Sequence, residues 1–209
     1  MKRHHLIASK GAGSMIVEAA LALSGLPYEV EMIPYAEPGP QRDRLLALNP
    51  LGQVPTLLLP DGRTMTESAA MILHLADQAP KAGLMPAAGD AARPMFLRWL
   101  AFIVAAIYPT FTYGDDPARW ASDEASGKHL RKATDEHRKE LWRYLAAQNP
   151  CKPWVLGDQF SALDLYIAVM NTWRPGPAWF KQECLALAAI AARVAKLDAL
   201  REVWQRNVD

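Results

Sequence analysis

The clearest candidates for binding chemistry lie where Val54 precedes Pro55. Only X–Pro bonds make a cis peptide inexpensive, at about 0.5–1 kcal/mol. A cis bond here turns the backbone of Val54 outward and exposes its N–H and C=O as an edge to which an extended ligand backbone can add. An ordinary trans proline that ends a loop before a strand is the alternative. Taken with its flanking residues, the pair predicts a cis bond.

A second candidate is the run Thr66-Glu67-Ser68, which opens a predicted helix. The unpaired N–H groups and the positive dipole end of a helix form an anion site, and the Ser68 hydroxyl adds a donor. The alternative is plain capping by Thr66, with Glu67 favourably placed near the dipole.

The elements that position these residues follow from hydrophobic spacing and turn signals. A strand at 4–8 is followed by a helix at 14–23, whose Ile16, Ala19, Ala20 and Leu23 keep the spacing of a buried face. A strand at 28–33, a short helix at 42–48, a hairpin at 56–65 around Asp61-Gly62 and a helix at 67–77 complete the mixed part. Beyond an Ala-, Pro- and Gly-rich segment the pattern is entirely helical, at 92–112, 123–148, 161–172 and 185–204.

The motifs taken together resemble the cytosolic glutathione S-transferases, in particular their bacterial members. They are Asn49-Pro-Leu-Gly-Gln-Val-Pro55, then Asp61-Gly62 with Glu67-Ser68, and late in the chain Ser161-Ala-Leu-Asp164. The resemblance covers nearly the whole chain. It implies an α/β plus all-α architecture: a thioredoxin-like glutathione-binding domain at 1–78, a linker at 79–90 and an all-helical domain at 91–209.

The resemblance also implies where glutathione binds. The Val54 backbone would pair with the cysteinyl backbone of glutathione, and Gln53 would contact the peptide. Ser68 and the helix start would hold the γ-glutamyl carboxylate, while Glu67 would face the γ-glutamyl ammonium. Glutathione would be a co-substrate, and Pro55 belongs to the predicted binding set.

The turn at 9–14 departs from the resembling enzymes, because it has neither their Tyr nor their Cys. Ser14, at the helix start, is the predicted hydroxyl donor to the glutathione sulfur, and Ser9 is the alternative. For Ser14 an N-cap role is an equal alternative. The backbone N–H groups of Gly11, Ala12 and Gly13 could also stabilise a thiolate, as an oxyanion hole does.

The helical part contains a candidate electrophile pocket and one structural motif. Tyr108 is predicted to reach the electrophile, with Phe111, Tyr113 and Trp173 as apolar walls; an aromatic core is the alternative. Ser161 with Asp164 forms a capping box, which predicts a role in folding rather than in catalysis.

Composition excludes several other classes. The 23 Lys+Arg against 22 Asp+Glu residues leave a net charge of +1, without the basic stripe of a nucleic-acid protein. The longest apolar stretch, 99–108, is short for a membrane span. Two distant cysteines, Cys151 and Cys184, favour reduced thiols in a cytoplasmic protein over a disulfide or zinc scaffold, and no histidine spacing predicts a metal site.

Two hypotheses remain open. The first is a glutathione transferase that acts on a small hydrophobic electrophile in detoxification. The second is a glutathione-binding or scaffold protein of the same fold without catalysis, which the weak nucleophile turn supports. The resemblance implies a homodimer, and the near-zero net charge removes long-range repulsion between subunits.

Overall fold

The computed structural model describes residues 3–149 and 152–208. Contacts divide the chain into two compact units. The first contains the chain up to Ala87 and the segment from Ala192 onward, and the second contains Ala88–Ala191. The sequence predicts a helical domain over residues 91–209, whereas the contacts assign the segment from Ala192 onward to the first unit.

The first unit has the predicted thioredoxin-like architecture. A four-stranded sheet has the order β2-β1-β3-β4, with β1 parallel to β2 and antiparallel to β3, and β4 antiparallel to β3. Its elements are β1 (His4–Ala8), α1 (Ser14–Ser24), β2 (Tyr28–Met32), α2 (Pro40–Leu48), β3 (Thr56–Leu58), β4 (Thr64–Met65) and α3 (Ser68–Gln78).

The packing of this unit follows the sequence pattern. The helix α1 buries Ile16, Ala19 and Ala20 and ends at Gly25, whose φ of 67° is the left-handed conformation that glycine adopts at a helix C-terminus. Ile7 of β1 packs with Leu45 of α2 and with Ile33 in a separate apolar cluster. Both helices therefore attach to the strands through apolar contacts.

The second unit is helical, as predicted, but its boundaries differ. Its elements are α4 (Arg93–Phe102), a π-helical turn (Ile103–Ile107), α5 (Tyr108–Asp115), α6 (Glu124–Gln148), α7 (Ala162–Asn171), α8 (Pro177–Glu183) and α9 (Leu185–Val194). The predicted helix at 92–112 contains the π turn, just before Pro109, a residue that cannot donate a backbone hydrogen bond. The predicted helix at 185–204 is two helices, α9 and α10 (Arg201–Asn207).

One helical stretch in the described part of the chain, Arg93–Asp115, has the length and composition of a membrane span. It has 23 residues, and an 18-residue window within it has a mean hydropathy of 1.5. Its large apolar side chains Phe96, Trp99, Ile103 and Ile107 are buried inside the second unit. We interpret it as a core helix of that unit.

The capping box at the start of α7 is confirmed on its Asp164 side. The Ser161 backbone N–H donates to Asp164 Oδ2 at 2.8 Å, and the Val155 N–H donates to Oδ1 at 3.0 Å. Burial raises the Asp164 pKa to about 6. Cys184 is buried and unpaired, and burial raises its thiol pKa to about 11, while Cys151 lies outside the described residues.

Candidate functional site

The loop ahead of β3 has the predicted cis bond between Val54 and Pro55. A buried network holds its backbone. Asn49 Nδ2 donates to the Gln53 carbonyl and to Thr56 Oγ1, each at 3.1 Å, and Thr56 Oγ1 donates to the same carbonyl at 2.8 Å. Neither Asn49 nor Thr56 is among the predicted site residues, although Asn49 opens the motif and Thr56 directly follows it.

A close backbone approach also shapes this loop. Gly52 has a φ of 61°, and a Cβ placed there would lie 3.0 Å from a Leu46 methyl carbon and 3.1 Å from the Arg42 guanidinium. Arg42 donates to the carbonyl oxygens of Tyr35 and Gly52. The motif glycine is therefore required, and a half-buried cation lies beside the loop.

The hairpin places the two predicted binding segments opposite each other. In the antiparallel pair β3–β4, Leu57 is in register with Met65. Pro55 lies two residues before Leu57, and Glu67 lies two residues after Met65. The segments 53–55 and 67–68 therefore meet at the same end of the hairpin.

Glu67 has an unusual backbone conformation. Its φ of 65° makes it the only non-glycine residue with positive φ in the described part of the chain. Such a conformation costs about 1–3 kcal/mol and persists where the surroundings impose it, often at ligand sites. The exposed Glu67 directly precedes α3, which begins at Ser68, as the anion-site prediction requires.

The turn at 9–14 differs from the prediction for Ser14. This residue is fully buried, and its hydroxyl accepts the Ser9 amide proton at 3.1 Å and donates to the Ser9 carbonyl at 3.2 Å. The single hydroxyl proton of Ser14 is therefore used to close the turn, and none remains for a thiolate. The N-cap position of α1 is Gly13, so Ser14 is not the N-cap residue either. The Ala12 N–H, a predicted anion donor, also donates to the Ser9 carbonyl, at 3.2 Å.

Ser9 itself keeps its hydroxyl available. The side chain is half-buried at the end of β1, and its hydroxyl makes no hydrogen bond with any residue that the structure describes. Of the two predicted donors, Ser9 is the one whose proton is not used within the turn.

The C-terminal helix α10 supports α1 behind this turn. Glu18 of α1 is fully buried and pairs with Arg206, and Asn207 Nδ2 donates to Glu18 Oε2 at 2.9 Å. Burial raises the Glu18 pKa, while Asn207 and Arg206 oppose this shift. A Cβ on Gly11, whose φ is 69°, would lie 3.9 Å from the Asn207 carbonyl oxygen.

Three of the four predicted pocket aromatics come together in the second unit. The half-buried Trp173 packs edge to face with Tyr108, at 5.8 Å between ring centroids, and with Phe111, at 5.2 Å. Tyr113 lies about 200° around the helix from Phe111. It is exposed and packs against Trp120 at 5.0 Å instead. We define the aromatic wall as Tyr108, Phe111 and Trp173.

Across the described ranges, 3–149 and 152–208, no group of three or more His, Cys, Asp and Glu side chains is arranged to hold a metal ion.

Comparison with known proteins links this geometry to a family. Residues 14–78 match the family described as glutathione S-transferase, N-terminal domain. The chain is 41% identical to the uncharacterized GST-like protein YncG of Escherichia coli K12. The match extends over 198 residues, which are 94% of this chain and 95% of that protein.

Two solved structures extend the comparison to the fold. A glutathione S-transferase of a sphingomonad, complexed with glutathione, has a TM-score of 0.77 and 29% identity over 96% of this chain and 97% of that chain. A glutathione transferase homologue from Sulfitobacter with bound glutathione has a TM-score of 0.87, with 98% of both chains covered. Its 24% identity shows likeness of fold alone.

Proposed function

The chain belongs to the glutathione S-transferase family, and from that premise we propose that it binds glutathione and attaches it, through the sulfur of its thiolate, to a small hydrophobic electrophile. One observation carries the binding proposal: the β3–β4 register brings residues 53–55 opposite Glu67 and Ser68. A sphingomonad relative whose structure contains glutathione supports it.

Each group has a defined task in this proposal. The Val54 N–H and C=O pair with the cysteinyl backbone of glutathione, as one strand adds to another, with Gln53 and Pro55 flanking them. Ser68 and the α3 N-terminus receive the γ-glutamyl carboxylate. The Glu67 carboxylate faces the γ-glutamyl ammonium.

The thiol must be activated, because the thiolate is the nucleophile. We assign the side-chain donor role to Ser9, whose hydroxyl proton is not used within the turn. Ser14, predicted as the first donor, keeps the turn closed instead. The α1 N-terminus adds a favourable dipole, worth about 0.3–1 kcal/mol and up to ~2 where partly buried.

The aromatic wall is the proposed electrophile-binding surface of the second unit. Trp173 packs edge to face with both Tyr108 and Phe111, which favours one fixed arrangement of the rings. Tyr108 and Trp173 are half-buried and provide the accessible surface, and the buried Phe111 supports Trp173. Tyr113 has no part in this wall.

A glutathione-binding protein without catalysis is the second candidate. The observation that favours it is the turn at 9–14, in which the Ser14 hydroxyl and the Ala12 N–H both donate hydrogen bonds to the Ser9 carbonyl. Fewer donors then remain for a thiolate than the sequence offers.

We further propose a cytoplasmic homodimer in which the first unit of one subunit meets the helical unit of the other. Each unit has exposed apolar side chains that such an interface would cover. In the first unit they include Leu51, which is 70% exposed, and Leu46, and in the second they include Met95, Leu97 and Tyr144. Light scattering at micromolar concentration should give a dimer, and a monomer would contradict this proposal.

One pair of measurements separates the two candidate functions. Calorimetry on wild type and Ser68→Ala tests binding, and loss of the half-buried hydroxyl donor to a charged carboxylate should weaken glutathione binding by about 1–3 kcal/mol. Ultraviolet absorbance of bound glutathione against pH then reports the thiolate. Binding with no thiolate near neutral pH favours the non-catalytic protein, whereas unchanged affinity in Ser68→Ala rejects the assigned site.

A further inference from the structure

A buried arginine lies at the centre of the helical unit. Arg138 of α6 is fully buried, and its guanidinium makes hydrogen bonds through all three nitrogens. Nε donates to Thr110 Oγ1 and Nη2 to the Thr110 carbonyl, both at 2.9 Å. Nη1 donates to Asp135 Oδ1 at 2.8 Å and to the Arg174 carbonyl at 3.5 Å.

This guanidinium touches the aromatic wall directly. Its central carbon lies 3.7 Å from the centroid of the Phe111 ring, a close cation–π contact. Phe111 in turn packs against Trp173, and Arg174 directly follows Trp173 in the chain. The Arg138 side chain thus donates to a backbone carbonyl next to Phe111, that of Thr110, and to one next to Trp173, that of Arg174.

The surrounding helices leave this arrangement little room. A Cβ on Gly114 of α5 would lie 2.5 Å from the Thr134 hydroxyl of α6, so the two helices are in close contact beside Arg138. Burial lowers the Arg138 pKa, and the neighbouring carboxylates of Asp135 and Asp115 oppose this shift. Arginine remains charged under all ordinary conditions, so the Arg138 guanidinium keeps all of its N–H donors.

Stabilisation of the fold does not by itself explain why an arginine occupies this buried position. Buried ion pairs are often no more stable than well-packed apolar side chains of similar volume. A guanidinium presents a planar, fixed set of donors and therefore selects one geometry for the groups that accept from it. Here the partners are Thr110, Phe111 and the chain after Trp173.

We propose that Arg138 is a positioning residue that sets the orientation of the Phe111 and Trp173 rings and thereby determines which electrophiles the aromatic wall accepts. The proposal rests on the proposed function of that wall. It assigns Arg138 no contact with the substrate.

The test compares Arg138→Met with Arg143→Met. Arg143 lies on the same helix, pairs with Glu183 at 3.1 Å and lies over Trp179 at 5.3 Å, but makes no contact with the wall. Activity is measured with a flat aromatic acceptor, 1-chloro-2,4-dinitrobenzene, and a flexible aliphatic one, trans-2-nonenal.

The expected pattern is specific to the acceptor. In Arg138→Met, the acceptor KM should rise at least fivefold, and the kcat/KM ratio between the two acceptors should change at least threefold. The KM for glutathione should stay within twofold, and Arg143→Met should change none of these values. An unchanged acceptor ratio, or an equal rise in the glutathione KM, would overturn the proposal.

Binding measurements keep this inference separate from the proposed function. Calorimetry compares glutathione with S-(4-nitrobenzyl)glutathione on wild type. If wild type binds both equally, the wall receives no acceptor and the inference fails together with the proposed function. If wild type prefers the benzyl conjugate and Arg138→Met retains that preference, the inference alone fails.

A milder variant covers the case in which Arg138→Met does not fold. Thr110→Val removes the Oγ1 acceptor for Arg138 Nε, together with the bond that Oγ1 donates to the Ile107 carbonyl at 2.6 Å, and it keeps the Thr110 carbonyl that accepts from Nη2. It should change the kcat/KM ratio between the two acceptors in the same direction by a smaller factor. A well-folded Thr110→Val with wild-type ratios would also count against the positioning role.

Discussion

The Ser14 hydroxyl donates to the Ser9 carbonyl at 3.2 Å and accepts the Ser9 amide proton at 3.1 Å. Ser14→Ala removes both bonds in a fully buried setting. We expect the free energy of unfolding to fall by about 1–3 kcal/mol, the cost of leaving buried groups unsatisfied. Urea denaturation followed by circular dichroism measures this loss, and a variant as stable as wild type would show that the turn closes without the hydroxyl.

Ser9→Ala should produce the opposite pattern. Its hydroxyl makes no bond with any described residue, so stability should change little. Loss of a charge-assisted hydrogen bond to the thiolate, worth about 1.5–3 kcal/mol, should raise the apparent thiol pKa by about 1–2 units. The measurement is kcat/KM against pH, beside Ser14→Ala as the matched hydroxyl deletion. An unmoved pKa in Ser9→Ala would leave the backbone N–H groups of the turn as the activating groups.

The Glu67 backbone provides a prediction that separates strain from charge. Glu67→Ala and Glu67→Gly both remove the carboxylate, so both should weaken glutathione binding by a similar factor. At a φ of 65° glycine has no Cβ penalty, so the glycine variant should be more stable than the alanine variant by about 1 kcal/mol. Thermal unfolding of the free proteins checks the stability difference, and calorimetry checks the binding. Equal stabilities would mean that this backbone is not strained.

The sequence predicts the elements better than it predicts the hydrogen bonds of the site. Strand β1 and the hairpin follow from local patterns, and β1 has the predicted bounds, 4–8. The role of Ser14 did not follow, because a hydroxyl at a helix start can point to the ligand or back to Ser9, and only three-dimensional packing decides. Tyr113 is a related case: the sequence groups it with Phe111 as an apolar wall, whereas about 200° of helical rotation separates the two and Tyr113 packs against Trp120.

Contacts between distant parts of the chain were also beyond local patterns. The pairing of Glu18 with Arg206 and Asn207 spans almost the whole sequence, and no spacing rule links these positions. The same holds for Arg138, which lies on a helix, α6, that carries many charged residues of both signs and is buried nonetheless. Its burial depends on α5 packing against α6 at Gly114.

The last prediction concerns pH and Asp164. Burial raises its folded-state pKa to about 6, from an ordinary value of 3.8. The folded protein therefore binds a proton more tightly than the unfolded chain. The resulting stabilisation is fully present below about pH 3.8 and is lost as the pH rises through about 6. With 1.36 kcal/mol per pKa unit, the loss amounts to at most about 3 kcal/mol.

Asp164→Asn isolates this contribution from that of the other carboxylates. The amide oxygen can accept from one of the two N–H donors, Ser161 or Val155, so the variant loses a hydrogen bond that does not depend on pH. Urea denaturation of both proteins at pH 4, 5, 6 and 7 measures the stability difference between them. The advantage of wild type should shrink between pH 4 and 6 and then level off. A constant difference across this range would mean that Asp164 titrates at its ordinary pKa in the folded protein.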